Sequence, residues 1–307
     1  MKRRLPGAAL AVAMLVSLTG SAMIGADEDL KKWCQELNPE LKKFKWKLDA
    51  CQFKDMRVGG RSVKGRPLVF REFGDPNAKN TTLVFSMVHG DETTPLFLGL
   101  RLMDWLEANT SKYPGTRIVI APLVNPDGFY RHPRTRTNAN KVDVNRNFNT
   151  ADWAKDATRM WKKKYRADPR YFPGKQAESE PETQFQAKLI SEYKPNKIIS
   201  VHSPLNFMDY DGPDVLALAK FPSEYVTKCL QLRQHVNAHS GGFYPGSLGN
   251  YTGQERGIPT LTLELPSTNP QRAEEYWNHF LSGIETVIQF RVPDPQVKTP
   301  DPVAGRS

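Results

Sequence analysis

T-T-L-V-F-S-M-V-H-G-D-E, residues Thr81 to Glu92, is the stretch on which the fold turns. Leu83 to Val88 is an apolar run containing Val and Phe, short enough to be a buried strand. It stops at His89-Gly90-Asp91-Glu92, and a strongly apolar helix pattern starts near Thr94, with Pro95 suited to its first turn. The polar residues therefore fall on a strand-to-helix corner, where open α/β sheets build their sites. His89 and Glu92, three apart across a turn, can aim an imidazole and a carboxylate at one metal ion. Zinc accepts such ligands, and a catalytic zinc takes three from the protein and keeps a position for water. An isolated H-x-x-E is more often a solvated turn, so a third ligand and a base must come from elsewhere in the chain.

Working outward, the 307 residues suffice for one large α/β domain or two small ones, and 39% hydrophobic with 25% charged residues is an ordinary globular composition. At the N-terminus, Lys2, Arg3 and Arg4 precede an apolar run over Ala8–Leu18 and the small residues around Ala22 and Ala26. This layout predicts a signal peptide over 1–26, export to the periplasm or medium, and no stable membrane span after its removal. The formal charge of +10 becomes +7 when those three basic residues leave. An excess of that size favours anionic surfaces or polymers. Nucleic acid is not indicated, because there is no Gly-rich phosphate loop and no interleaving of arginines with aromatic residues. Of the three cysteines, Cys34 and Cys51 form a plausible disulfide in an oxidising compartment, whereas Cys229 sits in a helix-like apolar pattern.

Along the chain, 27–57 reads as an N-terminal segment of two short helices broken at Asn38-Pro39, packed on the surface or covering the cleft. A hairpin and strand over Val58–Gly74 follow, then the strand at 82–88, a helix over 94–109 and a β-branched strand over Arg117–Leu123. The turn N-P-D-G at 125–128 leads into a long loop, Arg131–Thr150, rich in Arg, Asn and Thr. Loops of that length in compact domains are usually functional. Helical patterns cover 153–166, 182–193, 221–239 and 270–290, and strands cover 197–201 and 259–265. Gly241–Gly253 reads as a mobile loop and 291–307 as a Pro-rich, disordered tail. Strands alternating with helices predict an α/β fold with a mixed, largely parallel twisted sheet flanked by helices.

Polar residues at strand ends complete the set. His202 ends the third buried strand, and Glu264 lies inside the apolar strand P-T-L-T-L-E-L. Zinc held by His89, Glu92 and His202 would keep a fourth position for water. Glu264, costly to bury without a partner, could take that water's proton. The loop offers Arg134, Arg136 and Arg146 as donors to a tetrahedral intermediate.

The pieces H-G-D-E (89–92), N-P-D-G (125–128), R-T-N-A-N-K-V-D-V-N-R-N-F (136–148), H-S-P (202–204) and T-L-E-L-P (262–266) come in one order. In that order they resemble the zinc metallocarboxypeptidases, the carboxypeptidase A-like family, over roughly 58–290. G-R-P-L at 65–68, R-T-N-A-N and P-G-S-L-G at 245–249 look closest to the bacterial branch that contains murein peptide amidase. The resemblance implies one Zn²⁺ ion on His89, Glu92 and His202, with Glu264 as general base and Arg136 as oxyanion stabiliser. It implies that Asn145 and Arg146 bind the substrate carboxylate and that Asp143 orients a zinc histidine. Tyr244 matches, equally well, the tyrosine that closes over substrate or an aromatic residue of a surface loop. No residue of 246–251 marks a pocket for a basic side chain, and Glu255 reads as a solvated acid.

Three functions follow. The first is an exported zinc amidase cutting peptidoglycan stem peptides, at the bond between γ-D-Glu and meso-diaminopimelate. The second is a general metallocarboxypeptidase acting on peptides. The third is an inactive peptidoglycan-binding module, which the intact ligand and base set disfavours.

Overall fold

The computed structural model describes residues 10–213, 233–234 and 244–292, with side chains described over 27–213 and 244–292. Cys229 and the tail beyond 292 lie outside the described residues, as does the expected helix over 221–239 except at Arg233–Gln234, which form a short strand instead.

The chain begins with α1 (Leu10–Lys43) and the hairpin β1 (Arg57–Arg61) and β2 (Pro67–Gly74). Next come β3 (Asn80–Ser86), α2 (Thr93–Asn109), β4 (Thr116–Ala121) and the single turn α3 (Pro126–Phe129). After the long loop follow α4 (Thr158–Lys163), α5 (Pro181–Tyr193), β5 (Lys197–His202) and β6 (Phe207–Asp211). The two-residue β7 (Arg233–Gln234), β8 (Thr260–Glu264) and α6 (Ala273–Gln289) close the order.

The strands form one sheet in the order β1-β2-β4-β3-β5-β8-β6-β7. β4, β3, β5 and β8 are mutually parallel, while β1, β2 and β6 pair antiparallel to their inner neighbours. This is the expected mixed, largely parallel sheet. Side chains alternate across it, because successive Cβ atoms of a strand point to opposite faces. Val84 of β3 joins the apolar layer of α1, α2 and α6, whereas Leu83 and Phe85 join the layer under Phe185 and Leu189 of α5.

Going from β3 through α2, the chain lays β4 on one side of β3; it later returns to lay β5 on the other side. The crevice at a switch point of this kind, beyond the carboxyl ends of the strands, is where such sheets bind ligands. His89 and Glu92 follow β3 and His202 ends β5, so all three meet there. His202 also pairs in register with Glu264 of β8.

The N-terminal segment departs from expectation. A single helix runs through Asn38-Pro39 to Lys43, where two helices had been read. Proline inside a helix costs about 3 kcal/mol. Leu37 and Leu41, on either side of it, are completely buried, and burying each such side chain returns about 1.5–3 kcal/mol. Tertiary packing thus outweighs the local penalty. The segment is fastened by the Cys34–Cys51 disulfide, by Arg61–Asp29 at 2.6 Å, and by Trp46 Nε1 donating to the Pro270 carbonyl at 2.8 Å. Its apolar residues join the core layer of α2 and α6, and none of 27–57 lines the cavity around His89 and His202, so the segment packs on the domain and does not cover the cleft. The stretch after Tyr244 is also more ordered in form than a loop: Leu248–Arg256 is helical and buries Asn250, Thr252 and Gly253.

The long loop has one 3-10 turn, Val144–Arg146, and is held otherwise by side chains. Asn138 donates to Glu180 at 2.7 Å and Glu182 at 2.8 Å, and its oxygen accepts from the backbone of Val142 and Asn140, each at 3.1 Å. Asn147 donates to the Pro173 and Gln176 carbonyls at 2.9 and 2.8 Å and accepts from Glu180 N. Two asparagines therefore do the work that a strand ladder would do elsewhere.

Two outcomes are expected. Closing a loop with a sequence separation of 17, the disulfide should contribute about 3 kcal/mol. Replacing Cys34 by Ser should lower chemical-denaturation stability by that order, with the residual fold intact. Second, burial pushes Glu182 up to about 7 from 4.5, against hydrogen bonds from Asn138 and Val63 that pull it down. Its folded pKa lies above its unfolded value, so its contribution is full below 4.5 and is lost as pH rises through 7. Across that window wild-type stability should fall by up to about 3 kcal/mol relative to Glu182→Gln, read from urea midpoints at a series of pH values.

Candidate metal centre and active site

The turn after β3 is possible because two glycines let it approach another turn. A Cβ on Gly90 would stand 2.2 Å from the Gly128 carbonyl carbon, and one on Gly128 would stand 2.6 Å from the Thr135 carbonyl oxygen. H-G-D-E and N-P-D-G are thus two halves of one contact. Glu92 occupies the N-cap position of α2, with its side chain free of capping duty. The start of α2 is docked by Thr94 Oγ1 onto the Ser267 carbonyl at 2.7 Å, just past β8. That contact sets the distance between the Glu92 corner and the Glu264 strand.

His89, Glu92 and His202 are buried, and one ligand atom from each lies within 4.8 Å of the others. Glu92 Oε1 is 2.7 Å from His89 Nδ1 and Oε2 is 2.9 Å from His202 Nδ1. The two Nδ1 atoms face each other at 3.2 Å. Two imidazole nitrogens at ordinary zinc distances around a tetrahedral centre stand about 3.3 Å apart. Each outer nitrogen is already held, His89 Nε2 by Asp143 at 3.1 Å and His202 Nε2 by the Ser200 hydroxyl at 2.9 Å. Such outer contacts turn the opposite ring atoms toward a metal. The donor set, its spacing and its outer partners therefore fit zinc.

Asp143, fully buried, also accepts from Arg136 Nε at 2.8 Å and from Asn145 N at 3.0 Å. Arg136, then His89, draw its carboxyl well below the usual range despite burial. Arg136 Nη1 reaches toward Glu92 Oε1 at 3.4 Å, and its guanidinium lies 5.2 Å from the Tyr171 ring. Arg134, considered as a third donor, is elsewhere: it pairs with Glu40 at 2.5 Å and lies over Phe44 and Phe129. Asn145 uses its side-chain oxygen to accept from Leu248 N at 2.8 Å, which leaves its NH₂ for a ligand oxygen. The Arg146 guanidinium lies 4.5 Å from the Tyr244 ring, and Lys164 Nζ donates to the Tyr244 hydroxyl at 3.1 Å.

His89, Glu92, His202, Arg136, Asn145, Arg146 and Tyr244 line one cavity of about 350 Å³ together with Glu264, Tyr165, Arg170, Tyr171, Asp209 and Asp211. Glu264 is 8% exposed, and among the described residues its one hydrogen bond is a long one from Leu205 N at 3.4 Å. Burial pushes its carboxyl up; His202 opposes this and Glu92 adds to it.

The family profile described as zinc carboxypeptidase matches residues 51–269. The chain belongs to the zinc carboxypeptidase family. As such it is a metallopeptidase-type hydrolase. It is 30% identical over 220 residues to murein peptide amidase A of Escherichia coli K12, covering 70% of this chain and 83% of that one. The corresponding Vibrio campbellii protein is 30% identical over 209 residues, covering 67% and 77%. Among solved structures, the murein-tripeptide amidase of Escherichia coli O157 superposes with a TM-score of 0.56 at 22% identity, over 79% of this chain and 94% of that one. Carboxypeptidase A of Helicoverpa armigera gives 0.64 at 19%, over 82% and 71%. Both support the carboxypeptidase A-like fold.

Apart from Arg134, every residue expected in the site lines the cavity or touches one that does. Several were missed. Ser200 sits two residues before His202 on the same strand face, a spacing that could have flagged it. Asp209 and Asp211 come from β6, which was not expected, although F-M-D-Y-D alternates in strand fashion. Burial and the nearby Asp209 push Asp211 up to about 6, against a hydrogen bond from Gln254. Glu255, by contrast, is the exposed acid expected of it and caps Ala151 N at 2.6 Å.

Metal and base should separate experimentally. His202→Ala is expected to abolish stoichiometric zinc binding, measured by elemental analysis after dialysis. Glu264→Gln should keep one zinc per chain while hydrolysis falls by about 10²–10⁴. Asp143→Asn should weaken zinc affinity or activity by about 10–100-fold.

Proposed function

We propose that this zinc carboxypeptidase-family protein is an exported amidase that cuts peptidoglycan stem peptides between γ-D-Glu and meso-diaminopimelate. The observation that carries this reading is the mixed charge of the cavity. Asn145 and Arg146 suit a carboxylate beside the cleaved bond, because a guanidinium fork meets both of its oxygens. Asp209 and Asp211 line the same cavity and suit an ammonium group. Free meso-diaminopimelate carries both: a carboxylate next to the amine released by cleavage, and an ammonium at its far end. The curated relatives are named for murein peptides. A leader-like N-terminus, the Cys34–Cys51 disulfide and the positive charge fit a cell-wall setting.

His89, Glu92 and His202 would hold the zinc, with Asp143 and Ser200 fixing the two rings. When bound, zinc polarises the scissile carbonyl and acidifies water. Glu264 takes the proton of the attacking water and returns it to the departing amine; its raised pKa suits a group that must both accept and donate. Arg136, held by Asp143, donates to the oxygen that gains charge as the carbonyl becomes tetrahedral. A donor so placed and shielded from water is worth about 3–4 kcal/mol of barrier. The amide is thereby split into the γ-carboxylate of D-Glu and the free amine of diaminopimelate.

A general carboxypeptidase for lysine or arginine termini is the second reading, since the acids would serve those side chains too. Mass spectrometry of purified muropeptides incubated with the protein, with and without a zinc chelator, separates them. The amidase reading expects chelator-sensitive release of diaminopimelate from tripeptide stems, leaving L-Ala-γ-D-Glu on the glycan. Tetrapeptide stems, whose adjacent carboxylate is blocked, should react far more slowly. Release of single terminal residues from ordinary peptides, with muropeptides untouched, would establish the second reading.

A further inference from the structure

Three guanidinium groups line the cavity: Arg136, Arg146 and Arg170. The chemistry above uses two of them. Arg170 lies in the 3-10 turn Pro169–Tyr171, which Asp168 caps by accepting from Arg170 N at 2.8 Å. Its Nη1 is paired with Asp91, the residue directly before the ligand Glu92. Its side chain is 43% exposed, so the head group stands in the open part of the cavity. Nε and Nη2 meet no acceptor among the described residues.

The position says which half of a substrate Arg170 would meet. Asn145, Arg146 and Tyr244 are tied to the stretch 244–250, through Leu248 N and the Arg146–Tyr244 stack. Asp211 belongs to the same wall, since a Cβ on Gly249 would fall 1.8 Å from its carboxylate. That wall receives the leaving amine and what is attached to it. Arg170 is tied instead to the Asp91-Glu92 corner, and its neighbour Tyr171 lies against Arg136. Because Arg136 faces the carbonyl under attack, Arg170 stands on the acyl side.

In a γ-linked D-Glu the acyl side has a feature that an ordinary α-linked residue lacks. The γ-carboxyl is consumed in the scissile amide, so the α-carboxylate remains free and charged. We propose that Arg170, held in place by Asp91, binds this α-carboxylate and so selects γ-linked D-Glu on the acyl side. The assignment rests on the amidase reading. Asp91 does not satisfy the arginine: it occupies one of five N–H donors and leaves an edge for a second carboxylate. An exposed pair of this kind is weak enough to yield part of its hydrogen bonding to a ligand.

The test compares two synthetic substrates, L-Ala-γ-D-Glu-meso-diaminopimelate and its α-carboxamide analogue with γ-D-isoglutamine. Release of diaminopimelate by the zinc-loaded protein gives kcat/KM for each. A charge-assisted contact of this sort predicts that wild type prefers the carboxylate by about 10–100-fold. Arg170→Gln should bring that ratio to within about threefold of unity, and Arg170→Lys should keep part of it. Zinc stoichiometry and thermal unfolding of the variants verify that the site and fold persist. A preference that survives Arg170→Gln, or a wild type that never had one, overturns the role of Arg170 while leaving the amidase reading standing. Wild type that cleaves neither substrate yet trims ordinary peptides overturns both.

Discussion

The carboxylate of Asp143 is the constraint on which the site depends. It is fully buried and makes three short contacts, to a metal-site histidine, to Arg136 and to the backbone of Asn145. An unpaired carboxylate at that depth would cost several kcal/mol, so the three partners and the acid hold one another in place. One charge thereby sets the ring of His89, the reach of Arg136 and the turn that presents Asn145 and Arg146. The long loop needs no regular secondary structure because this centre, with Asn138 and Asn147 on either side, supplies its order.

Much of this was legible because the chemistry sits where the strands run out. His89, Glu92, His202 and Glu264 each mark the place where an apolar strand ends or buries an acid, and the parallel pairing of β3, β5 and β8 gathers them. The strands other than β6 and β7, and the helices α2, α5 and α6, were read within a few residues for the same reason: their apolar periods are strong. What escaped notice depended on contacts remote in sequence. α1 continues through Pro39 because the buried leucines beside it outweigh a local penalty that sequence reading weighs alone. β6 was hidden because its five residues are half polar, and only its antiparallel pairing with β8 shows that Asp209 and Asp211 belong to the cavity. By residue type alone Arg134 and Arg136 are alike, and only the family resemblance singled out Arg136. The structure separates them, since Arg134 packs against Phe44 and Phe129 and Arg136 against Tyr171.

The two glutamates at the centre show how environment divides labour between identical groups. Both oxygens of Glu92 are committed, to His89 and His202, with Arg136 and the Ser203 backbone nearby. Although burial works against its charge, the two histidines hold its carboxyl far below the usual range. A group so fixed and so firmly ionised suits the part of a metal ligand. Glu264 is buried nearly as deeply but has one long hydrogen bond among the described residues, and its neighbour Glu92 adds to the push that burial gives it. Its proton affinity is raised, which suits the proposed part of a group that takes up a proton and returns it. Exchanging the two residues' surroundings would exchange their roles. The strand register that sets His202 opposite Glu264 is what brings this second carboxylate beside the His89, Glu92 and His202 cluster.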